Sequence, residues 1–310
     1  MSAPIEKVCL VGANGSLGSV ILDALVAAHT FSVSVLVRAN STSTPAHADR
    51  ITQIPFSPTF DTAELTRLLA GQDAVIAAFP LKDVSQHLRL AEAACAAGVR
   101  RYVPADYGSC DARSPRAQRH LQLYRDKAAV QALCETLAKA HEGFSWTSIV
   151  SGHFFDWGLR NNVLNMDVAA RTALALDDGT ARASASTLPR VAQAVVRVLQ
   201  RHKATRDRFV FVQSFCATPL EVLAALERAT GGEAWKTDKA ESEAFLDGET
   251  KKYEAGDEHA LHNIVFALGQ VGADWTTREE FAMDLLGLED EDLDEVVERV
   301  VGEMKAEGLA

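Results

Sequence analysis

The sequence predicts an α/β protein built on a doubly wound parallel sheet, with a smaller C-terminal portion of mixed structure. Three observations predict it. Short apolar runs alternate with amphipathic stretches about every 20 to 25 residues through the first half of the chain. The apolar runs are continuous, as in strands buried on both faces. A glycine-spaced turn joins the first run to the first helix.

Taken in order, Val8-Cys-Leu-Val11 is a strand of the buried type, and Gly12 to Gly18 is the turn. Ser19 to Ala28 then predicts a helix with Val20, Ile21, Leu25 and Val26 as its apolar residues. Phe31 to Val37 is a second strand, and Ile51 to Ile54 a weaker third. Asp61, with Glu64 three residues on, starts a helix ending near Ala70. Ala74 to Phe79 is a strand bounded by Pro80, Val84 to Ala97 a helix stopped by Gly98, and Arg101 to Val103 a strand bounded by Pro104. Residues 117–140 predict one long helix, and Phe144 to Val150 the next strand.

Beyond about residue 152 the alternation loosens. Ala173 to Ala185 predicts a hairpin turning at Asp177-Asp178-Gly179. A helix over 188–202 and a strand at Phe209 to Val212 follow. The last hundred residues or so read as mostly helical, ending in an acidic amphipathic helix over 289–308. Residues 1–152 are therefore expected to form a nucleotide-binding domain. Residues 153–310 are expected to cover the substrate and share part of the same sheet.

Lys and Arg total 31 against 42 Asp and Glu, a net charge of −11. That balance disfavours binding to nucleic acid or anionic lipid and favours a small-molecule partner. With 47% apolar and 24% charged residues, the 310-residue chain has the composition of a globular protein. Five widely spaced cysteines without a C-x-x-C pair argue against a disulfide framework or a zinc site and suit a cytoplasmic setting. No apolar run reaches membrane-spanning length, and the N-terminus makes a poor signal peptide. His259 and His262 lack a third ligand, so no metal is expected. A monomer or homodimer fits this composition.

The turn reads Gly12-Ala-Asn14-Gly15-Ser16-Leu17-Gly18. Small residues are needed where the backbone approaches a pyrophosphate and where helix packs on strand, and the free N–H groups at the helix start face the anion. This is the signature of a dinucleotide-binding Rossmann fold. At the end of the second strand stands Arg38, where an acid would bind the ribose hydroxyls of NAD. A guanidinium there can pair with a 2′-phosphate and stack on adenine, which favours NADP(H). Gln86 and the loop from Ser41 to Thr44 are further candidates for phosphate contact.

Three features then combine: the glycine loop with Arg38, the segment Gly98-Val-Arg-Arg-Tyr-Val-Pro-Ala-Asp-Tyr-Gly108, and Tyr124-Arg-Asp-Lys127 within a helix. Together they resemble the NmrA-like group of atypical short-chain dehydrogenases, in particular its isoflavone-reductase-like branch. Gly152-His-Phe-Phe-Asp-Trp-Gly-Leu159 also resembles a segment of fungal members. The resemblance covers residues 6–230 and weakens beyond. It implies that Lys127 is the catalytic residue and that Phe79 packs near the nucleotide. Pro104, Tyr107, Gly108 and Lys127 match the branch's Pro-Ser-Glu-Phe-Gly pattern and its lysine. Ala105 and Asp106 depart from it, and Leu123 stands where ordinary short-chain dehydrogenases carry a Tyr.

On chemistry alone, Lys127 can hold the nicotinamide ribose or donate a proton as hydride arrives. Tyr107 and Tyr124 are candidates to line a substrate pocket, Tyr124 because i,i+3 residues share a helix face. His153 follows Gly152 at a strand end, where pockets open in doubly wound folds, and Phe154, Phe155 and Trp157 can wall an aromatic substrate. The expectation is an NADPH-dependent reductase of a small aromatic or polyketide-type metabolite of secondary metabolism, acting on a carbonyl or enone. Two alternatives stay open: an NADP-binding redox sensor without turnover, and an enzyme that keeps its cofactor while catalysing a non-redox rearrangement.

Overall fold

The computed structural model describes residues 3–310. Through residue 150 the elements are β1 (Lys7–Val11), α1 (Ser16–Ala27), β2 (Ser32–Arg38), β3 (Thr52–Phe56), α2 (Thr62–Leu69), β4 (Ala74–Ala77), α3 (Val84–Ala96), β5 (Arg101–Val103), α4 (Pro115–His120), α5 (Gln122–Ala140) and β6 (Thr147–Val150). There follow β7 (His153–Phe154), α6 (Phe155–Arg160), β8 (Met166–Asp167), β9 (Thr172–Leu176), β10 (Ala183–Ser186), α7 (Leu188–Gln200), β11 (Arg208–Phe211), β12 (Phe215–Ala217), α8 (Pro219–Ala229) and β13 (Lys236–Ala240). The chain closes with α9 (Ser242–Glu254), α10 (Ala260–Gln270), a short 3₁₀ turn at Trp275–Thr277, α11 (Met283–Leu286) and α12 (Leu293–Ala306).

The central sheet is parallel, in the order β3-β2-β1-β4-β5. It continues through a parallel bridge between Tyr102 and Trp146, where the Tyr102 N–H donates to the Ser145 carbonyl at 2.8 Å. Beyond it β6 pairs in parallel with β11, so a strand of the C-terminal half extends the sheet, and β11 in turn bridges to Phe281. Strand periodicity decides which core each β1 residue joins. Val8 and Leu10 pack with Ile21 and Leu25 of α1 and Val191 and Val195 of α7. Cys9 and Val11 pack with Leu65 of α2, Leu90 of α3 and Val130 of α5. Both faces are thus covered, and burying each of these aliphatic side chains contributes roughly 1.5–3 kcal/mol.

Four sequence expectations are corrected. Helix α1 starts at Ser16, not Ser19, because Gly18 joins the first turn and packs on the glycine loop itself. The helix expected over 117–140 is two helices, broken at Leu121, whose backbone is extended (φ −143°, ψ 128°). The break lets α4 pack on α9 while α5 packs on α3, and this tertiary packing overrides helix propensity. The expected hairpin of 173–185 does not form. Asp177 and Gly179 do make a turn at positive φ, but β9 pairs with β8 and β13 whereas β10 pairs with β7 and β12. Finally, β12 and β13 add strands to a region that reads as helical from sequence.

Candidate functional site

The first strand delivers the chain into a cleft at the C-terminal ends of β1, β2 and β4. The cleft holds about 210 Å³ and is lined by Gly12, Asn14, Gly15, Arg38, Phe60 and Phe79 among others. Gly12 has φ +98°, and a Cβ there would lie 2.4 Å from the Ala78 carbonyl oxygen. A Cβ on Gly18 would lie 2.0 Å from the Gly12 oxygen. These two glycines are therefore required by the fold. Gly15 differs: a Cβ would meet only the Gly12 oxygen at 3.4 Å and the Ala78 oxygen at 3.8 Å. The protein itself does not demand glycine there, and the surface beside Gly15 is open. Gly15 is also the N-cap of α1 and brings no side-chain cap, so the N–H groups of Ser16, Leu17 and Gly18 start a helix with no side-chain acceptor. An anion is the natural complement of that geometry.

Asn14 closes one side by donating from Nδ2 to the Ser43 carbonyl at 3.1 Å. Arg38, exposed at the end of β2, makes no ion pair among the described residues. The opposite wall is aromatic. Phe56 and Phe60 meet edge to face with ring centres 5.0 Å apart, and Phe60 lies 5.3 Å from Phe79. Phe79 stacks on His87 of α3 at 3.9 Å. His87 is fully buried, and burial pulls its pKa down to about 4, so its ring is neutral at ordinary pH.

Next to this wall, α5 presents Lys127. Its Nζ lies 3.8 Å from Oδ1 of Asp106, which follows β5. The other carboxylate oxygen, Oδ2, accepts from Gln131 Nε2 and from Ser148 Oγ, each at 2.6 Å. Burial pushes the Asp106 carboxyl up, while Lys127 and the two donors oppose that push. Lys127 Nζ also stands 5.5 Å from the centre of the Tyr124 ring.

The remaining sequence candidates fall into two neighbourhoods. Tyr124 and His153 gather under α10. The Tyr124 hydroxyl and Ser109 Oγ are 2.9 Å apart, Ser109 Oγ donates to the Val265 carbonyl at 3.2 Å, and His153 Nε2 reaches the same carbonyl at 3.3 Å. His153 is buried, and burial pulls its pKa down to about 4. Tyr107 instead joins the core cluster of α1 and α7, and Phe154 and Trp157 pack against that same cluster. Tyr107 holds φ +43°, its N–H donates to the Ile149 carbonyl at 2.8 Å, and its buried hydroxyl has no hydrogen-bond partner among the described residues.

Sequence reasoning passed over Asp106 as a bond-making residue, and over Gln131, Ser148 and His87. Gln131 was within reach of it, since it stands four residues after Lys127 on one helix face. Phe56, Phe60 and His87 left no signal, because β3, the loop after it and α3 meet Phe79 only in the folded chain. Gln86 starts α3 and does not line the cleft, whereas Ser41 does. His259 and His262 face one another with ring centres 6.1 Å apart. Among the described residues no helix is long and apolar enough to cross a membrane.

A doubly wound parallel sheet whose first strand opens into an open-sided glycine cradle defines a protein of the Rossmann fold. The NmrA-like family model matches residues 4–287, and the chain belongs to that family. It is similar to the oxidoreductase aprR of Aspergillus flavus, 31% identical over 306 residues that cover 95% of this chain and 98% of the relative. Among solved structures, an isoflavone reductase matches with a TM-score of 0.77 at 19% identity, covering 96% of this chain and 99% of that one. Leucoanthocyanidin reductase of Vitis vinifera, in binary complex with NADPH, matches with a TM-score of 0.76 at 18% identity and the same coverage.

Proposed function

We propose that the chain is an NADPH-dependent oxidoreductase that reduces a carbonyl, enone or similar electrophilic carbon of a small aromatic or polyketide-type metabolite. The observation that carries this is the cradle at Gly15. Its backbone is open where the fold itself does not need glycine, at a helix start with no side-chain cap, and Arg38, at the cleft mouth, makes no ion pair among the described residues. A pyrophosphate fits the first feature and a 2′-phosphate the second. The oxidoreductase relative and the NADPH-bound neighbour support the same reading.

When bound, NADPH supplies the hydride. The work of the chain is to hold and orient. Gly12, Asn14, Gly15, Ser16, Leu17 and Gly18 form the phosphate cradle, Arg38 selects the phosphorylated ribose, and Phe79 closes the wall. Lys127, beside Asp106, would hold a ribose hydroxyl with its ammonium and give a proton to the substrate oxygen that becomes negative. Tyr124 and His153, under α10, and Tyr107, Phe154 and Trp157, packed on the core of α1 and α7, are the candidates to border the substrate. Residues 153–310 would supply most of that cover and residues 1–152 the nucleotide site. Five free cysteines support a reducing, cytoplasmic setting.

A second reading is a nucleotide-binding regulator without turnover. It is favoured by Leu123 at the usual tyrosine position and by the Tyr124 hydroxyl being engaged with Ser109. The test has two stages. Fluorescence titration with NADPH and NADH measures binding, and NADPH oxidation is then followed with a panel of aromatic ketones, enones and quinones. Tight NADPH binding with turnover supports the oxidoreductase, tight binding without turnover on any substrate supports the regulator, and no binding of either nucleotide overturns both.

A further inference from the structure

Asp106 is in an unusual position for a carboxylate. Its side chain is 1% exposed, and Oδ1 has no hydrogen-bond partner among the described residues. Oδ2 is held twice over, by Gln131 of α5 and by Ser148 of β6. Lys127 and Gln131 are four residues apart on α5, so one helix face presents an ammonium to one oxygen and an amide to the other. Gly108 borders both groups: a Cβ there would lie 2.6 Å from the Cys110 carbonyl oxygen, so the backbone itself demands glycine, and 3.1 Å from Asp106 Oδ1 and 3.5 Å from Lys127 Nζ.

The neighbouring groups leave Asp106 as the counter-charge. His87 of α3, Cys110 and Tyr124 all interact electrostatically with Lys127 or contact it, and burial keeps His87 neutral and the Cys110 thiol and Tyr124 phenol protonated. Tyr107, which faces Asp106, is likewise held protonated by burial. Asp111, the next carboxylate, is engaged by Arg113 and Arg278 at 2.8 and 2.7 Å. Burial without a partner would drive the proton off a lysine, and a fixed carboxylate beside it reverses that tendency.

We propose that Asp106 is a positioning residue that, clamped by Gln131 and Ser148, aims the Lys127 side chain and holds its proton. This rests on the reading of Lys127 as the proton donor. In the proposed step an N–H bond of the ammonium breaks, its proton passes to the substrate oxygen, and the neutral amine left behind regains a proton from water. Asp106 keeps its bonds to Gln131 and Ser148 and takes no proton in the step.

The test compares Asp106→Asn and Asp106→Glu with the parent. Competitive acylation of Lys127 with acetic anhydride, read by mass spectrometry across pH 6–11, gives the amine's protonation midpoint without any substrate. Removing the charge in D106N is expected to lower that midpoint by about one unit or more, with D106E restoring most of it. In turnover, the alkaline limb of the kcat/KM profile shifts by the same amount while the KM for NADPH stays put. A folded D106N with the parent's midpoint overturns the proposal. If D106N fails to fold, Gln131→Leu is read the same way, and a lowered midpoint supports the proposal while an unchanged one sinks it. Because the labelling needs no turnover, a midpoint shift in a protein that reduces nothing would overturn the oxidoreductase reading and leave the Asp106–Lys127 coupling intact.

Discussion

Gly18 faces the carbonyl of Gly12 so closely that a β-carbon on Gly18 would sit 2.0 Å from that oxygen. The first turn of α1 thus rests directly on the loop that precedes it. Gly12 and Gly18 are consequently needed by the fold and Gly15 is not, and substitution separates the two roles.

Gly18→Ala is expected to destabilise the protein by on the order of 1–3 kcal/mol or more, since backbone must move to admit the methyl group. Gly15→Ala should leave the urea midpoint close to that of the parent, because its Cβ finds ordinary contacts, yet weaken NADPH binding at least tenfold by standing where the phosphates approach. Parallel urea melts and nucleotide titrations check both. A Gly15→Ala protein that binds NADPH as the parent does would show that the cradle holds no pyrophosphate.

Among the described residues Arg38 has no ion-pair partner to lose. Its removal should therefore cost the fold little and the cofactor preference much. Arg38→Ala is expected to weaken NADPH by roughly 10- to 100-fold, the worth of a charge-assisted contact to phosphate, and to leave NADH nearly untouched. Arg38→Asp should turn the preference toward NADH. Equal losses for both nucleotides would contradict a 2′-phosphate contact.

For Lys127→Ala the expected fall in kcat is 10²- to 10⁴-fold, the usual size of a lost general acid, with NADPH affinity within about tenfold of the parent. Stopped-flow measurement of the hydride step with a substrate found in the panel decides it. An affinity loss as large as the rate loss would make Lys127 a cofactor-holding group and not a proton donor.

Two buried histidines predict acid sensitivity. His87 and His153 each have a pKa of about 4 in the folded protein against an ordinary 6.5. Between those values the unfolded chain binds the protons that the folded one refuses. Stability contributed by each neutral ring is present above pH 6.5 and is lost as pH falls toward 4, by on the order of 3 kcal/mol per residue. His87→Phe keeps a ring stacked on Phe79 and removes one titration, so its urea midpoint should fall less steeply from pH 7 to 4.5. A parallel fall in mutant and parent would argue against a neutral His87.

The contrast between the two halves of the chain shows what local sequence carries. Up to Val150 most strands are short apolar runs and most helices amphipathic, so periodicity gives most of the alternation, with β3 (Thr52–Phe56), half polar and largely exposed, the weak member. Asp61 caps α2 as its spacing predicts, its side chain accepting from the Glu64 N–H at 2.8 Å. The misread hairpin has a real turn at Asp177 to Gly179, but the partners of β9 and β10 come from residues 166–167, 236–240, 153–154 and 215–217, which no local pattern announces. The break at Leu121 is similar: nothing in that segment's composition forbids a helix, and it is the docking of α4 on α9 that divides it. At the site, the glycine loop and Arg38 are local motifs and were legible. The Asp106 clamp draws on β5, α5 and β6, with Ser148 lying 42 residues from Asp106, and only the fold assembles it.

The pairing of β6 with β11 has a consequence for synthesis. While the ribosome has released only the first 200 residues, β6 is an uncovered sheet margin with free backbone donors and acceptors, the kind of surface on which chains stick to one another. Arrival of Arg208–Phe211 seals it. A nascent chain stalled between those points is the form most in need of a chaperone.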